Sequence, residues 1–136
     1  MIGLDTNVLV RYVAQDDPIQ SRAASTLIES LTGETPGYVS LVSVVELVWV
    51  LTGCYATSKN EVGEVLETLL RTKELIVAQA ETVWKALRQF RENDADFADC
   101  LIACSCAEAG CDHTLTFDKG AVKSCGMRLC GGAAGP

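Results

Sequence analysis

The sequence predicts an α/β fold in which helices cover both faces of a parallel sheet. Short apolar stretches typical of strands alternate along the chain with longer segments whose apolar residues have helical spacing. Parallel strands favour this alternation because each pair needs a long crossover, usually a helix. The length of 136 residues suits one domain, and 49% apolar with 21% charged residues is typical of a globular chain. We therefore expect one compact domain over residues 1–130 and a flexible tail over 131–136.

The predicted elements follow from local signals taken in chain order. The stretches expected to form strands are Ile2–Leu4, Tyr38–Val42, Leu75–Val77, Thr114–Phe117 and Met127–Leu129. The segments expected to begin helices are Asp17-Pro18, Ser43, Ser58 and the acidic Asn93–Asp99. A polar turn at Thr6-Asn7 is expected to precede another helix, which carries Val8, Leu9, Tyr12 and Val13. One further helix is indicated between the third and fourth strands, where Val83, Trp84, Leu87 and Phe90 recur at helical spacing.

Acidic residues outnumber basic ones by 18 to 11, and the formal net charge is −7. This balance argues against the broad basic surface of simple nucleic-acid binders. It fits a protein that gathers carboxylates around a divalent cation, or one with a basic partner. No apolar run approaches the roughly 18 to 20 residues of a membrane span, and the first residues lack a secretory pattern. We expect a cytoplasmic protein with no membrane contact.

The seven cysteines raise the question of a thiolate metal site. Six of them lie in the C-terminal third: Cys100, Cys104, Cys106, Cys111, Cys125 and Cys130. Their odd total and the absence of a secretory signal argue against a disulfide framework. Because no Cys-x-x-Cys pair occurs and His113 is the only histidine, we favour Cys100, Cys104 and Cys111 as small apolar fillers on one helix face. A non-enzymatic, metal-binding interaction domain is the alternative, which stoichiometric zinc would support.

Four acidic residues lie at junctions between predicted elements. Asp5 and Asp118 directly follow predicted strands, and Glu46 and Asp99 lie in the first turns of predicted helices. Ligands of open α/β sheets bind beyond the carboxyl ends of the strands, where we expect these four side chains to converge. Carboxylates brought together repel one another unless a cation neutralises them. An all-oxygen site of this kind suits Mg²⁺ or Mn²⁺.

Each acid also has a purely structural explanation. Asp5 is explained equally well by an Asx-turn, and Asp118 as a turn residue before Lys119-Gly120. Glu46 lies three residues after Ser43, and for Glu46 alone a capping box with Ser43 is the favoured interpretation. Asp99 complements the positive end of a helix dipole without any catalytic role. Only the joint placement of the four residues is informative.

Four segments of the sequence together resemble a known family. The segments are Leu4–Leu9, Ser43–Leu47, Asp96–Ala103 and Thr116–Lys119. In order, spacing and total length they resemble the PIN-domain ribonucleases, and most closely the VapC-type toxins of type II bacterial toxin–antitoxin pairs. The resemblance implies a three-layer PIN-like fold with a central parallel sheet, and a Mg²⁺-dependent endoribonuclease.

By the same resemblance, the catalytic quartet is Asp5, Glu46, Asp99 and Asp118. As a hypothesis, Asp5 and Asp99 bind Mg²⁺ directly, while the other two act through water or on a second ion. The metal would activate water for in-line attack on an RNA phosphodiester. Supporting polar positions fall on Thr6, Asn7, Asp96 and Thr116.

The resemblance also implies partners. The basic residues considered for RNA contact are Arg11, Arg22, Lys119 and Lys123. VapC-like toxins typically form homodimers and are silenced by a VapB-type antitoxin whose helix fills an apolar groove. Trp49 and Tyr12 are candidates for lining that groove, although we favour both as ordinary core residues.

One further enzyme class fits an aspartate after the first strand. Phosphatases of the haloacid-dehalogenase type use such a residue, here Asp5, but normally need a second acid two positions later, where Asn7 stands. Hydrolysis of a small aryl phosphate, blocked by Asp5→Asn, would favour this alternative.

Overall fold

The computed structural model describes residues 1–131, which fall into two units. The first unit is Met1–Ala80 and the second begins at Glu81. Each unit has its own parallel sheet and its own buried apolar residues. Of the tail predicted over 131–136, residues 132–136 lie outside the described residues.

The first unit is built on a three-stranded parallel sheet. Its elements are β1 (Ile2–Gly3), α1 (Thr6–Ala14), α2 (Pro18–Ser30), β2 (Gly37–Val39), α3 (Leu41–Cys54), α4 (Lys59–Arg71) and β3 (Leu75–Val77). The strand order is β1-β2-β3, so each strand pairs with the next along the chain, and two helices make each crossover. This arrangement confirms the predicted parallel pairing and the helical connections between strands.

Glycine at the first position of the central strand leaves room for leucine side chains that pack against it. A Cβ on Gly37 would lie 2.9 Å from both Leu31 Cδ1 and Leu4 Cδ1, and 3.0 Å from Leu75 Cδ2. Carbon atoms do not pack this closely in protein interiors. The missing side chain therefore lets three leucines from separate elements meet against the strand.

Local capping signals correctly located two of the helix starts. Asp17 accepts hydrogen bonds from the amides of Ile19 and Gln20, and a proline occupies the first position of α2. Ser58 caps α4 and forms a capping box with Glu61, whose carboxylate accepts a hydrogen bond from the Ser58 amide. Both helices therefore begin where the sequence predicts.

The predicted start of α3 at Ser43 is wrong. The preceding strand ends at Val39 rather than Val42, and α3 begins at Leu41 with Ser40 as its cap. The Ser40 hydroxyl accepts a hydrogen bond from the Ser43 amide at 3.2 Å. Because the helix begins two residues earlier than predicted, Glu46 lies in its second turn and not in its first.

The exposed face of α3 carries a large aromatic residue. Its buried residues are Ser43, Val44, Leu47, Val48 and Leu51. Trp49 lies off this stripe and is 60% exposed, and Tyr12 on α1 is half-buried. The interpretation of Trp49 as a core residue is therefore wrong. No helix within residues 1–131 has both the length and the apolar character needed to cross a membrane.

The second unit holds a two-stranded parallel sheet and three helices within its described part. The elements are α5 (Ala80–Glu92, whose first residue ends the first unit), α6 (Phe97–Glu108), β4 (Leu115–Thr116), α7 (Lys119–Cys125) and β5 (Arg128–Leu129). β4 pairs in parallel with β5 through the α7 crossover. Each predicted strand of the chain is thus present, and the predicted three-layer α/β class with parallel strands flanked by helices is confirmed.

The cysteines of the second unit differ in burial. Cys100 and Cys125 are buried with their sulfur atoms 3.9 Å apart, and burial raises the pKa of the Cys100 thiol to about 12. Cys100 is therefore an unreactive apolar filler, as predicted. Cys104 is half-buried and Cys111 is exposed. The prediction for Cys111 is wrong because α6 ends at Glu108, so Cys111 lies beyond the helix.

Candidate functional site

Asp5 lies just beyond β1 and caps the helix that follows. Its Oδ1 accepts a hydrogen bond from the Thr6 amide at 2.7 Å, and its backbone has the extended conformation of an N-cap. The local structural role expected of this residue is therefore present. This capping bond uses Oδ1 of Asp5 and does not involve Oδ2.

Glu46 is held by α1 and not by its own helix. The buried Thr6 donates a hydrogen bond from Oγ1 to Glu46 Oε1 at 2.7 Å, and the same Oγ1 lies 3.2 Å from Ser43 Oγ. The capping box predicted between Glu46 and Ser43 is wrong, since the amide of Ser43 bonds to Ser40 instead. Thr6 thus joins Asp5, through its backbone amide, and Glu46, through its hydroxyl, into one hydrogen-bonded group in the first unit.

A cavity of about 420 Å³ opens beside this group. Its lining consists of Asp5, Thr6, Asn7, Val10, Arg11, Glu46, Val50, Cys54 and Tyr55. Of the basic residues proposed for RNA contact in this unit, Arg11 lines the cavity, whereas Arg22 is an exposed residue of α2 outside this lining. The cavity therefore combines two carboxylates with one cation and one aromatic side chain.

The second unit brings three acidic residues to the starts of two helices. Asp99 lies in the first turn of α6, and Asp96 is the N-cap of that helix although its side chain makes no capping hydrogen bond. Asp118 caps α7 through a 2.8 Å bond from the Gly120 amide to Oδ1. Thr116 fixes the approach to α7, because its Oγ1 accepts a hydrogen bond from the Asp118 amide at 3.0 Å.

The electrostatics of Asp99 show that these acids act on one another. The pKa of Asp99 is raised, chiefly because partial burial removes the carboxylate from water and then because Asp96 and Asp118 repel its charge. The remaining RNA-contact candidates, Lys119 and Lys123, are exposed residues of α7. A bound cation would relieve the repulsion at Asp99.

The carboxylates of the two units offer the oxygen donors that Mg²⁺ prefers. This ion keeps several of its waters and is commonly held by one or two carboxylates, so pairs of acids suit it chemically. Within residues 1–131, no group of three or more His, Cys, Asp or Glu side chains is arranged to hold a metal ion. That finding covers the thiolate cluster considered from the sequence as well as the acids.

Two residues of the first unit were missed by sequence reasoning. Ser43 was read only as a helix cap, yet its hydroxyl lies beside Thr6 in the buried group that holds Glu46. Tyr55 was not singled out, although it lines the cavity and bonds to Asp16, which is 39 positions away in the chain. For Ser43 the signal was its three-residue spacing from Glu46, and for Tyr55 the sequence offered none.

Replacing Asp96 with asparagine is expected to lower the pKa of Asp99 and to stabilise the fold at neutral pH. A carboxyl whose pKa is raised by folding destabilises the folded state above that pKa, and this contribution disappears as pH falls below the unfolded-state pKa. Removing one repelling charge therefore increases the free energy of unfolding above the pKa of Asp99 and has no such effect in acid. Carboxyl NMR titration of Asp99 and urea unfolding at two pH values measure both effects.

The control is Asp94→Asn, which removes the same charge from the same acidic segment at a position that does not perturb Asp99. An Asp99 pKa that stays unchanged in Asp96→Asn would contradict the assignment of repulsion between the two side chains.

Comparison with known families gives a match that covers most of the chain. The model of the PIN domain family matches residues 2–124, which is most of the chain. A search of curated proteins found no match. PIN domains are typically Mg²⁺-dependent nucleases. The general activity expected of the chain is therefore hydrolysis of nucleic acid.

Proposed function

Because the chain belongs to the PIN domain family, we propose that it is a Mg²⁺-dependent endoribonuclease and the toxin of a VapC-type toxin–antitoxin pair. The observation that carries this proposal is the pair of acids Asp5 and Glu46, which Thr6 joins by hydrogen bonds beside a 420 Å³ cavity. It is supported by Asp99, a partly buried carboxyl whose pKa is raised by burial and by repulsion from Asp96 and Asp118. Folding holds this group in an unfavourable electrostatic environment. Such strain is common where a protein keeps a site ready for a ligand of opposite charge.

In the proposed site, Asp5 and Asp99 hold Mg²⁺, and Glu46 and Asp118 act through water or on a second ion. Mn²⁺ has the same preference for oxygen ligands and serves as the alternative ion. When bound, the divalent ion supplies Lewis-acid activation of water and offsets the charge of the phosphodiester group.

The hydrogen bonds of the supporting residues prepare these carboxylates. The amide of Thr6 fixes Asp5 Oδ1 and its hydroxyl fixes Glu46 Oε1, so in each acid the second oxygen has a defined direction. Thr116 performs a related task by binding the amide of Asp118. The amides at the start of α6, beside Asp99, offer donors to a phosphate group.

The proposed toxin role includes a protein partner. An acidic site is a natural target for an antitoxin arginine, since charge-assisted pairing with carboxylates is strong. Trp49, which is 60% exposed on α3, supplies an apolar contact for a VapB-type helix. We include a homodimer in the proposal on the basis of the family resemblance alone.

Incubation of the purified protein with a panel of structured RNAs tests the proposal directly. We expect cleavage with Mg²⁺, loss of cleavage with EDTA, and recovery when Mg²⁺ or Mn²⁺ is added in excess. Cleavage that EDTA leaves unchanged would contradict the metal requirement. Hydrolysis of a small aryl phosphate without any RNA cleavage would point instead to a phosphatase.

A further inference from the structure

The cavity of the first unit contains a cation and an aromatic ring that the proposed metal chemistry does not use. Asp5, Glu46, Arg11 and Tyr55 all line its 420 Å³. A second cavity of about 270 Å³ shares Asn7 and Arg11 with it, so both cavities border the same face of α1. We infer that Arg11 and Tyr55 form a subsite for the nucleotide next to the scissile phosphate of single-stranded RNA.

This inference rests on the proposed function and assigns each residue a role. Arg11 binds the phosphate next to the scissile one, and Tyr55 stacks on the base of the nucleotide to which that phosphate belongs. Arg11 lies six positions after Asp5, and a helix rises about 9 Å over that span. Because Arg11 also lines the cavity that Asp5 and Glu46 line, we assign its guanidinium to the phosphate beside the reacting one. It also offsets the repulsion that Asp5 and Glu46 exert on an anionic strand.

Hydrogen bonds hold both side chains in place before any ligand arrives. Arg11 donates from Nε to Gln20 Oε1 at 2.8 Å and from Nη1 to Asp16 Oδ1 at 3.1 Å. Tyr55 donates its hydroxyl proton to Asp16 Oδ2 at 2.7 Å, and this bond raises the pKa of Tyr55. Nη2 of Arg11 takes part in none of the hydrogen bonds found within residues 1–131. Its two protons are the donors assigned to phosphate.

The size and lining of the cavity favour a nucleotide. Its volume falls within the range of small-molecule sites, and apolar side chains from Val10 and Val50 line it together with the polar groups. Single-stranded nucleic acids are held by this combination of a cation for the backbone and an aromatic ring for the base. An acidic protein segment would also pair with Arg11, but it would gain nothing from a stacking ring.

Fluorescence anisotropy with a labelled single-stranded RNA in EDTA, at several salt concentrations, tests the subsite apart from cleavage. For Arg11→Gln we expect about tenfold weaker binding, and a salt dependence whose slope falls by about 0.7, the value for one lost phosphate contact on a single strand. Arg71→Gln is the control, because it removes the same charge from α4, outside both cavities. Asp16→Asn removes the anion that competes for the Arg11 guanidinium, but it keeps an amide that can still hydrogen-bond to Arg11 and Tyr55, so it should not weaken binding.

The aromatic contact is tested with an RNA and an abasic strand of the same length. Tyr55→Leu should weaken RNA binding by about five- to tenfold, within the range for one stacked base, and leave the abasic strand unaffected. Tyr55→Phe keeps the ring and should retain affinity. Equal losses in Arg11→Gln and Asp16→Asn would overturn the subsite, because the ion pair alone would then explain the effect. Wild-type binding that does not distinguish the abasic strand would overturn it as well, because the contact would then be with the sugar-phosphate backbone alone.

Cleavage assays on the same variants separate this inference from the proposed function. RNA binding with the expected variant pattern, but no cleavage in Mg²⁺, would support the subsite and contradict the nuclease assignment. Cleavage whose KM is unchanged in Arg11→Gln and Tyr55→Leu would contradict the subsite and leave the nuclease in place. A wild-type protein that neither binds nor cuts RNA would overturn both.

Discussion

Replacing Asp99 with asparagine should reduce Mg²⁺-dependent RNA cleavage by about 100- to 1,000-fold, because it weakens binding of the ion that stabilises the charge developing on the phosphate. Asparagine has the same shape but lacks the negative charge that holds a divalent cation. The fold should survive, because ionised Asp99 is already disfavoured by burial and by its acidic neighbours. Single-turnover cleavage rates and thermal unfolding curves of the two proteins measure both expectations.

The double variant Asp5→Asn/Asp99→Asn tests whether carboxylates of the two units serve one reaction. Asparagine is as good an N-cap as aspartate, so Asp5→Asn keeps the start of α1 intact. Residues that act as a unit show strongly non-additive losses. We therefore expect the double variant to be about as slow as the slower single variant. Losses that multiply would contradict a shared metal. Asp112→Asn, which removes an exposed carboxylate outside the quartet, should cut at the wild-type rate.

The parts of the fold that could be predicted depend on residues close together in the chain. Asp17 and Ser58 cap their helices through bonds to amides two or three positions away, and both were identified from the sequence. The start of α3 was misplaced because Ser40 and Ser43 are both good caps, and the choice between them depends on where β2 ends. Local signals determine which element a segment can form, whereas the pairing of β2 within the sheet determines where that strand ends and the next helix begins.

The candidate site was predicted less completely because its contacts are distant in sequence. Glu46 bonds to Thr6 across 40 positions, so nothing near Glu46 distinguishes this contact from a capping box with Ser43. The exposure of Trp49 was missed for a related reason, since α3 is apolar on more than its buried face. The four acids of the proposed catalytic quartet could be identified from the four sequence segments taken together. The hydrogen bonds that these acids make could be identified only from the structure.

Replacing Phe97 with alanine should lower the free energy of unfolding by about 3–5 kcal/mol, the usual cost of deleting a buried aromatic side chain. Phe97 is the first residue of α6 and only 1% exposed, and its ring packs edge-on against Phe90 with centroids 5.8 Å apart. Urea unfolding measures the loss. Ile102→Ala is the control, since this residue of the same helix is 50% exposed and should cost less than about 1 kcal/mol.

The same two variants test whether packing in the core of the second unit positions its acidic residues. Phe97 anchors the turn of α6 that carries Asp99, so the cavity left by alanine loosens that turn as well as the core. Phe97→Ala should therefore need more Mg²⁺ for half-maximal cleavage, even at temperatures where it is fully folded. Ile102→Ala should not. An unchanged Mg²⁺ requirement in folded Phe97→Ala would show that the packing beneath α6 stabilises the unit without positioning Asp99.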